Sequence, residues 1–169
     1  VALERLGKLK EAREEYEAAV RLRPGWAEAL NNLGVVQHSL GDDRAAEKTL
    51  RDALRSGPGS AKALNNLGVV LAGQGKREEA ARAYRDAAKS DPRYGQAVSN
   101  LAALLEQDGK PTEAIDELRR LIRMEPANAE ARLRIAAILL SLENPAEATE
   151  QYSAVLAASP ANIAALQGL

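Results

Sequence analysis

Apolar side chains recur at helical spacing along this chain, interrupted at regular intervals by glycine and proline. Leu30, Leu33, Val36 and Leu40 share one face of a predicted helix that stops at Gly41, and Ala46, Leu50, Ala53 and Leu54 mark a second helix after it. Each such stretch reads as two helices and a turn. Gly41, Gly75 and Gly109 suit the left-handed residue that ends a first helix, because glycine has no Cβ to clash there. Pro111 and Pro145 suit the first position of a second helix, where a missing N–H costs nothing. Asn144 can cap that last second helix, with Glu147 reaching back to complete a capping box.

The interruptions have a fixed period. Pro24, Pro58, Pro92, Pro126 and Pro160 are each 34 residues apart, and Gly7, Gly41, Gly75 and Gly109 follow the same step; Glu143 holds the fifth glycine slot. Ala-Leu-Asn-Asn-Leu-Gly-Val-Val at residues 29–36 returns at 63–70. Starting each unit three residues after its proline gives complete repeats at 27–60, 61–94, 95–128 and 129–162, with a partial repeat at 1–26 and the start of another at 163–169. Small residues pair across each hairpin, Gly34 with Ala46, Gly68 with Ala80, Ala102 with Ala114 and Ala136 with Ala148, letting its two helices approach closely.

Leu33, Gly34, Gly41, Ala46, Leu50, Ala53 and Pro58, followed one period later by Leu67, Gly68, Gly75, Ala80, Tyr84, Ala87 and Pro92, stand in the order and spacing of a tetratricopeptide repeat. The chain resembles that family over essentially its whole length. It departs at the fourth position, often Trp in the family, which is Leu30, Leu64, Val98 and Arg132 here. The resemblance implies an all-α fold, a right-handed superhelical solenoid of antiparallel helix-turn-helix hairpins in a single array, with first helices lining a concave groove. Elementary physics points the same way, since one hairpin cannot bury its apolar faces and neighbours must stack.

In the family geometry six positions of each first helix look into the groove. They select Asn31, Asn32, Val35 and His38 in one repeat, Asn65, Asn66 and Val69 in the next, then Ser99, Asn100 and Ala103, and Arg134 in the last. The recurring feature is Asn32, Asn66 and Asn100 at one position of three successive repeats. A carboxamide both donates and accepts, as a peptide backbone does, so such a ladder suits an extended segment held with little regard to its side chains. It is similar to the asparagine ladder of the tetratricopeptide region of O-linked N-acetylglucosamine transferases. Asparagine at this position also serves local helix-to-helix hydrogen bonding in the family, and both readings stand; Asn31 and Asn65 incline the balance towards binding. The family's carboxylate clamp fits poorly, because Asn65, Val69 and Glu130 occupy slots where Lys, Asn and Lys are wanted.

Near the C-terminal end Leu133 and Leu140 join Arg134, either as a docking place for an apolar side chain or as a face for a further helix. Trp26 and Tyr94 precede first helices and are expected to pack across the junctions between repeats. The second helices carry charges such as Glu47, Lys48, Arg51, Asp52 and Arg55, with Glu47 and Arg51 spaced for an ion pair on a solvated face.

Composition narrows the function. Lys plus Arg number 23 against 24 Asp plus Glu, a formal charge of −1, which lacks the basic footprint of a nucleic-acid binder and speaks against a pentatricopeptide-type RNA reader. Without Cys there is no thiolate metal site or Cys nucleophile, and the lone His38 has no ligand-spaced neighbours, so no cofactor or metal is expected. No apolar run approaches the about 20 residues needed to cross a bilayer. Cytoplasm and periplasm are both compatible, cytoplasm being preferred; the Arg and Ala usage hints at a bacterial source. No phosphate loop, serine elbow or nucleophile with a carboxylate pair is present, so the chain is not expected to be an enzyme.

The function expected is a protein-interaction scaffold that takes a protein or peptide segment in its groove. The alternatives are a substrate-recognition arm of a larger enzyme, such as a glycosyltransferase, and a self-assembling scaffold. Val1 in place of Met suggests a piece of something longer, and Leu3, Leu6 and Tyr16 at one end with Ile163, Leu166 and Leu169 at the other are the apolar faces expected to stack end to end between copies.

Overall fold

The computed structural model describes residues 2–169, with side chains from Gly7 onward; Leu3 and Leu6 therefore lie outside the described side chains. Every regular element among the described residues is helical: α1 (Ala2–Leu22), α2 (Ala27–Ser39), α3 (Asp43–Ser56), α4 (Ala61–Gly73), α5 (Arg77–Ser90), α6 (Gly95–Gln107), α7 (Pro111–Met124), α8 (Ala129–Ser141), α9 (Pro145–Ala158) and α10 (Ile163–Gly168). The chain divides into two compact units, residues 1–97 and 98–169, with the division falling inside α6.

In the first unit α1 packs on α2, α2 on α3, α3 on α4 and α4 on α5, so that consecutive helices form antiparallel pairs and pairs stack on one another. Leu30, Leu33 and Val36 of α2 are buried together with Ala46, Leu50 and Ala53 of α3, and Leu50 is fully sequestered. Burying one leucine side chain contributes roughly 1.5–3 kcal/mol, so the hairpin depends on a handful of such residues. The next pair, α4 and α5, relies on Leu67, Val70, Leu71 and Tyr84 in the same manner. Close approach is built into it: a Cβ on Gly68 would lie 2.6 Å from Cε1 of Tyr84.

In the second unit α7 packs on α8, α8 on α9 and α9 on α10. Leu118, Ile135, Ala136, Ala148 and Val155 are among its most deeply buried side chains. Arg132 stands where the other repeats place an apolar side chain; it stays half-buried and sends its guanidinium to Gln151 Oε1 at 3.4 Å and to the Pro126 carbonyl at 3.3 Å. A charged group thereby occupies a core-edge position without being left unbonded.

The turns explain the period. Gly41, Gly75 and Gly109 adopt φ of +84, +76 and +66, and Glu143 takes the same left-handed turn with φ 58 despite its Cβ. Gly7 shares the spacing but lies within α1, where the sequence continues helical and supplies no stop. Side-chain caps begin several helices: Asp42 accepts from Ala45 N–H at 3.1 Å, Ser60 from Ala63 N–H at 3.3 Å and Asn128 from Ala131 N–H at 2.9 Å. Asn144 caps α9, but the reciprocal half of its box differs from expectation. The Asn144 backbone N–H is spent on the Leu139 carbonyl at 2.9 Å, so Glu147 takes the Asn144 side-chain amide instead, at 3.1 Å.

Second helices are also joined by ions. Glu47 accepts from Arg51 at 2.9 Å, as its spacing predicts, and from Lys76 at 2.7 Å; Arg51 reaches on to Glu79 at 2.9 Å. Hydrogen bonding from Lys76, ahead of that from Arg51, lowers the Glu47 pKa below its ordinary value. In the second unit Arg119 pairs with Glu147, repeating the Arg51–Glu79 contact two periods along the chain.

Candidate functional site

The first helices of successive repeats, α2 and α4, touch directly, which brings the asparagine positions of the first unit together. Asn66 Nδ2 donates to Asn31 Oδ1 at 2.9 Å, and Asn31 Nδ2 donates in turn to Asn32 Oδ1 at 3.2 Å. The three carboxamides form a relay from one repeat to the previous one. Asn31 thus bonds locally between helices, while the Nδ2 of Asn32 has no acceptor among the described residues.

Asn65 departs from the expected placement on an open groove. It is only 4% exposed, although Asn31, at the same position one period earlier, is half-buried and joined to Asn66. Val35 is 39% exposed, a large aliphatic surface beside the relay, and Val69 is half-buried. Ser39 returns its hydroxyl to the Val35 carbonyl at 3.0 Å.

His38 is engaged. Its Nδ1 lies 2.6 Å from Oδ1 of Asp43, the first residue of α3, and the backbone carbonyl of Asp43 accepts from Gln74 Nε2 at 2.9 Å. The Asp43 partner closes across the turn, five residues on, a spacing that helical periodicity does not flag. Gly73 stands against this pair, at 3.7 Å from His38 Cε1 for an added Cβ. No group of three His, Cys, Asp or Glu among the described residues is arranged to hold a metal ion.

In the second unit Arg134 projects from α8 to α6. Its Nε lies 3.1 Å from Glu106 Oε1, its Nη2 also meets that oxygen, and its Nη1 donates to Ser99 Oγ at 3.3 Å. Arg134 is on the groove side, as its register predicts, and the ion pair with Glu106 leaves it largely neutralised. Asn100 and Ala103 are half-buried on α6, while Leu140 is 44% exposed on α8. No helix among the described residues is long and apolar enough to cross a membrane.

Tetratricopeptide repeat sequence models match residues 1–61, 40–92 and 65–123, and a second one matches residues 105–169. No curated protein sequence matches the chain. Among solved structures, MamA is similar with a TM-score of 0.81 and 21% identity, over 91% of this chain and 90% of that one. YrrB, described as a TPR protein with an unusual peptide-binding site, gives 0.74 and 22% over 98% and 86%. PilF of Pseudomonas aeruginosa gives 0.81 and 25% over 98% and 75%. Helical hairpins of one period, left-handed turns at one register and sequence matches along the chain converge: it belongs to the tetratricopeptide repeat family, an all-α helical-repeat scaffold for protein interaction.

Proposed function

We propose that this scaffold receives an extended segment of a partner protein on the first-helix face of its first unit. The observation that carries the reading is the relay from Asn66 through Asn31, which leaves the Asn32 amide a donor with no partner beside the exposed Val35. A peptide carbonyl meets that donor, and an aliphatic side chain of the segment covers Val35. Ser99, Asn100 and Ala103 offer a corresponding stretch in the second unit. The similarity to YrrB, with its peptide-binding site, accords with a segment as ligand.

A display library of extended peptides tests this. Asn32→Ala and Val35→Glu, both off the hydrophobic core, are expected to weaken selected peptides by about tenfold or more with helicity unchanged. Equal affinity for both variants and the parent chain overturns the reading.

Self-association is a second reading, favoured by one observation: Ile163, Leu166 and Leu169 are 70%, 55% and 63% exposed on and just after α10. Apolar side chains exposed together on one short helix seek cover, and the corresponding face of a second copy supplies it.

A further inference from the structure

Between α1 and α2 of the first unit lies a cleft of about 340 Å³ whose walls are aromatic and whose charges are all of one sign. Tyr16 and Trp26 provide the aromatic surface, Glu15 and Glu28 the carboxylates, and Ala19 and Ala29 keep the space open by filling little of it. Trp26 is 41% exposed, so its ring is not consumed by packing across the junction. No Lys or Arg lines the cleft, and neither Glu15 nor Glu28 makes an ion pair or side-chain hydrogen bond among the described residues. This sets them apart from Glu47, Glu106 and Glu147, each of which is taken up by a basic residue.

We infer that this cleft binds an arginine side chain of the partner segment. Aromatic faces attract cations through their negative quadrupole, and carboxylates with no partner supply the counter-charge. A guanidinium fits both demands, since its plane stacks on an indole or phenol ring while its edge presents several N–H donors to carboxylates. Asn32 lines the same cleft, so the unspent amide lies where the backbone flanking that arginine passes. The inference deepens the segment-binding reading and gives it a sequence preference.

Trp26 is the only tryptophan, so its emission reports on the cleft alone. The probes are short serine–glycine peptides carrying one central arginine or, in its place, citrulline, the neutral isostere. The arginine peptide is expected to shift Trp26 emission saturably and to bind at least about tenfold tighter than the citrulline peptide, with Glu15→Gln/Glu28→Gln reducing the ratio to about threefold or less. Both glutamates are exposed, and circular dichroism verifies that the double variant keeps its helices. Equal binding of the two peptides, an arginine preference that survives in the double variant, or no saturable response to either peptide overturns the site. Asn32→Ala separates the two readings. If it weakens both peptides alike while the arginine preference is absent, the cleft fails and segment binding stands; if it changes neither while the glutamate-dependent preference persists, the cleft stands and the amide's role in holding a segment fails.

Discussion

Asn66 and Asn31 are 35 positions apart and share a hydrogen bond of 2.9 Å, which makes the sixth position of one repeat the partner of the fifth position of the repeat before it. The contact lies between half-buried side chains, so each amide has exchanged part of its water for the other. A bond of this kind contributes about 1 kcal/mol net. Asn31→Ala and Asn66→Ala are each expected to destabilise the chain by about that amount, and the double variant by less than their sum. Urea unfolding of the four proteins checks it, and full additivity refutes the coupling.

Glu143 keeps a left-handed backbone that its Cβ disfavours. Glu143→Gly is expected to stabilise by roughly 1 kcal/mol, because the penalty for an L-residue in that region is removed and the other turns already use glycine. A lowered denaturation midpoint would refute this.

Gly68→Ala acts in the opposite direction. The new methyl meets the Tyr84 ring at 2.6 Å inside the hairpin, and overpacking of this type costs about 1–3 kcal/mol. Thermal unfolding followed by circular dichroism measures the loss.

Burial pushes the Tyr84 phenol up to about 12, against an ordinary value of 10.0. The folded state thus holds its proton where the unfolded state has released it. The stability this provides is fully present below pH 10 and is lost as pH rises from 10 towards 12. Tyrosinate absorbance is expected to show Tyr84 titrating late, with Tyr94 also raised by its burial, and Tyr84→Leu to flatten the alkaline fall in stability.

Leu166→Asp places a charge on the exposed face of α10. If copies stack there, sedimentation at high protein concentration shows the parent chain associating and the variant remaining a monomer; identical profiles refute the stacking.

The hairpins were legible because periodicity, glycine turns and prolines are local signals that reinforce one another. Even Glu143 was marked by its slot, although its positive φ was not, since only the glycines around it advertise that conformation. Gly7 shows the limit of spacing alone, because a turn also needs flanking residues that stop the helix. The site was legible as positions and not as contacts. Whether Asn65 turns inward, whether His38 meets Asp43 and whether Arg134 meets Glu106 depend on side-chain directions between neighbouring helices, which a one-dimensional period does not encode.

The carboxamide row has a direction. Asn66 hands its N–H to Asn31 and Asn31 hands its own to Asn32, so the row runs from an acceptor oxygen left over on Asn66 to a donor left over on Asn32. Such a row is no more symmetric than a strand of polypeptide. A chain laid along it finds its carbonyls welcome at one end and its N–H groups at the other, and reversing that chain misaligns both. For the segment proposed above, the order of three amides would therefore favour one orientation of the chain over the reverse.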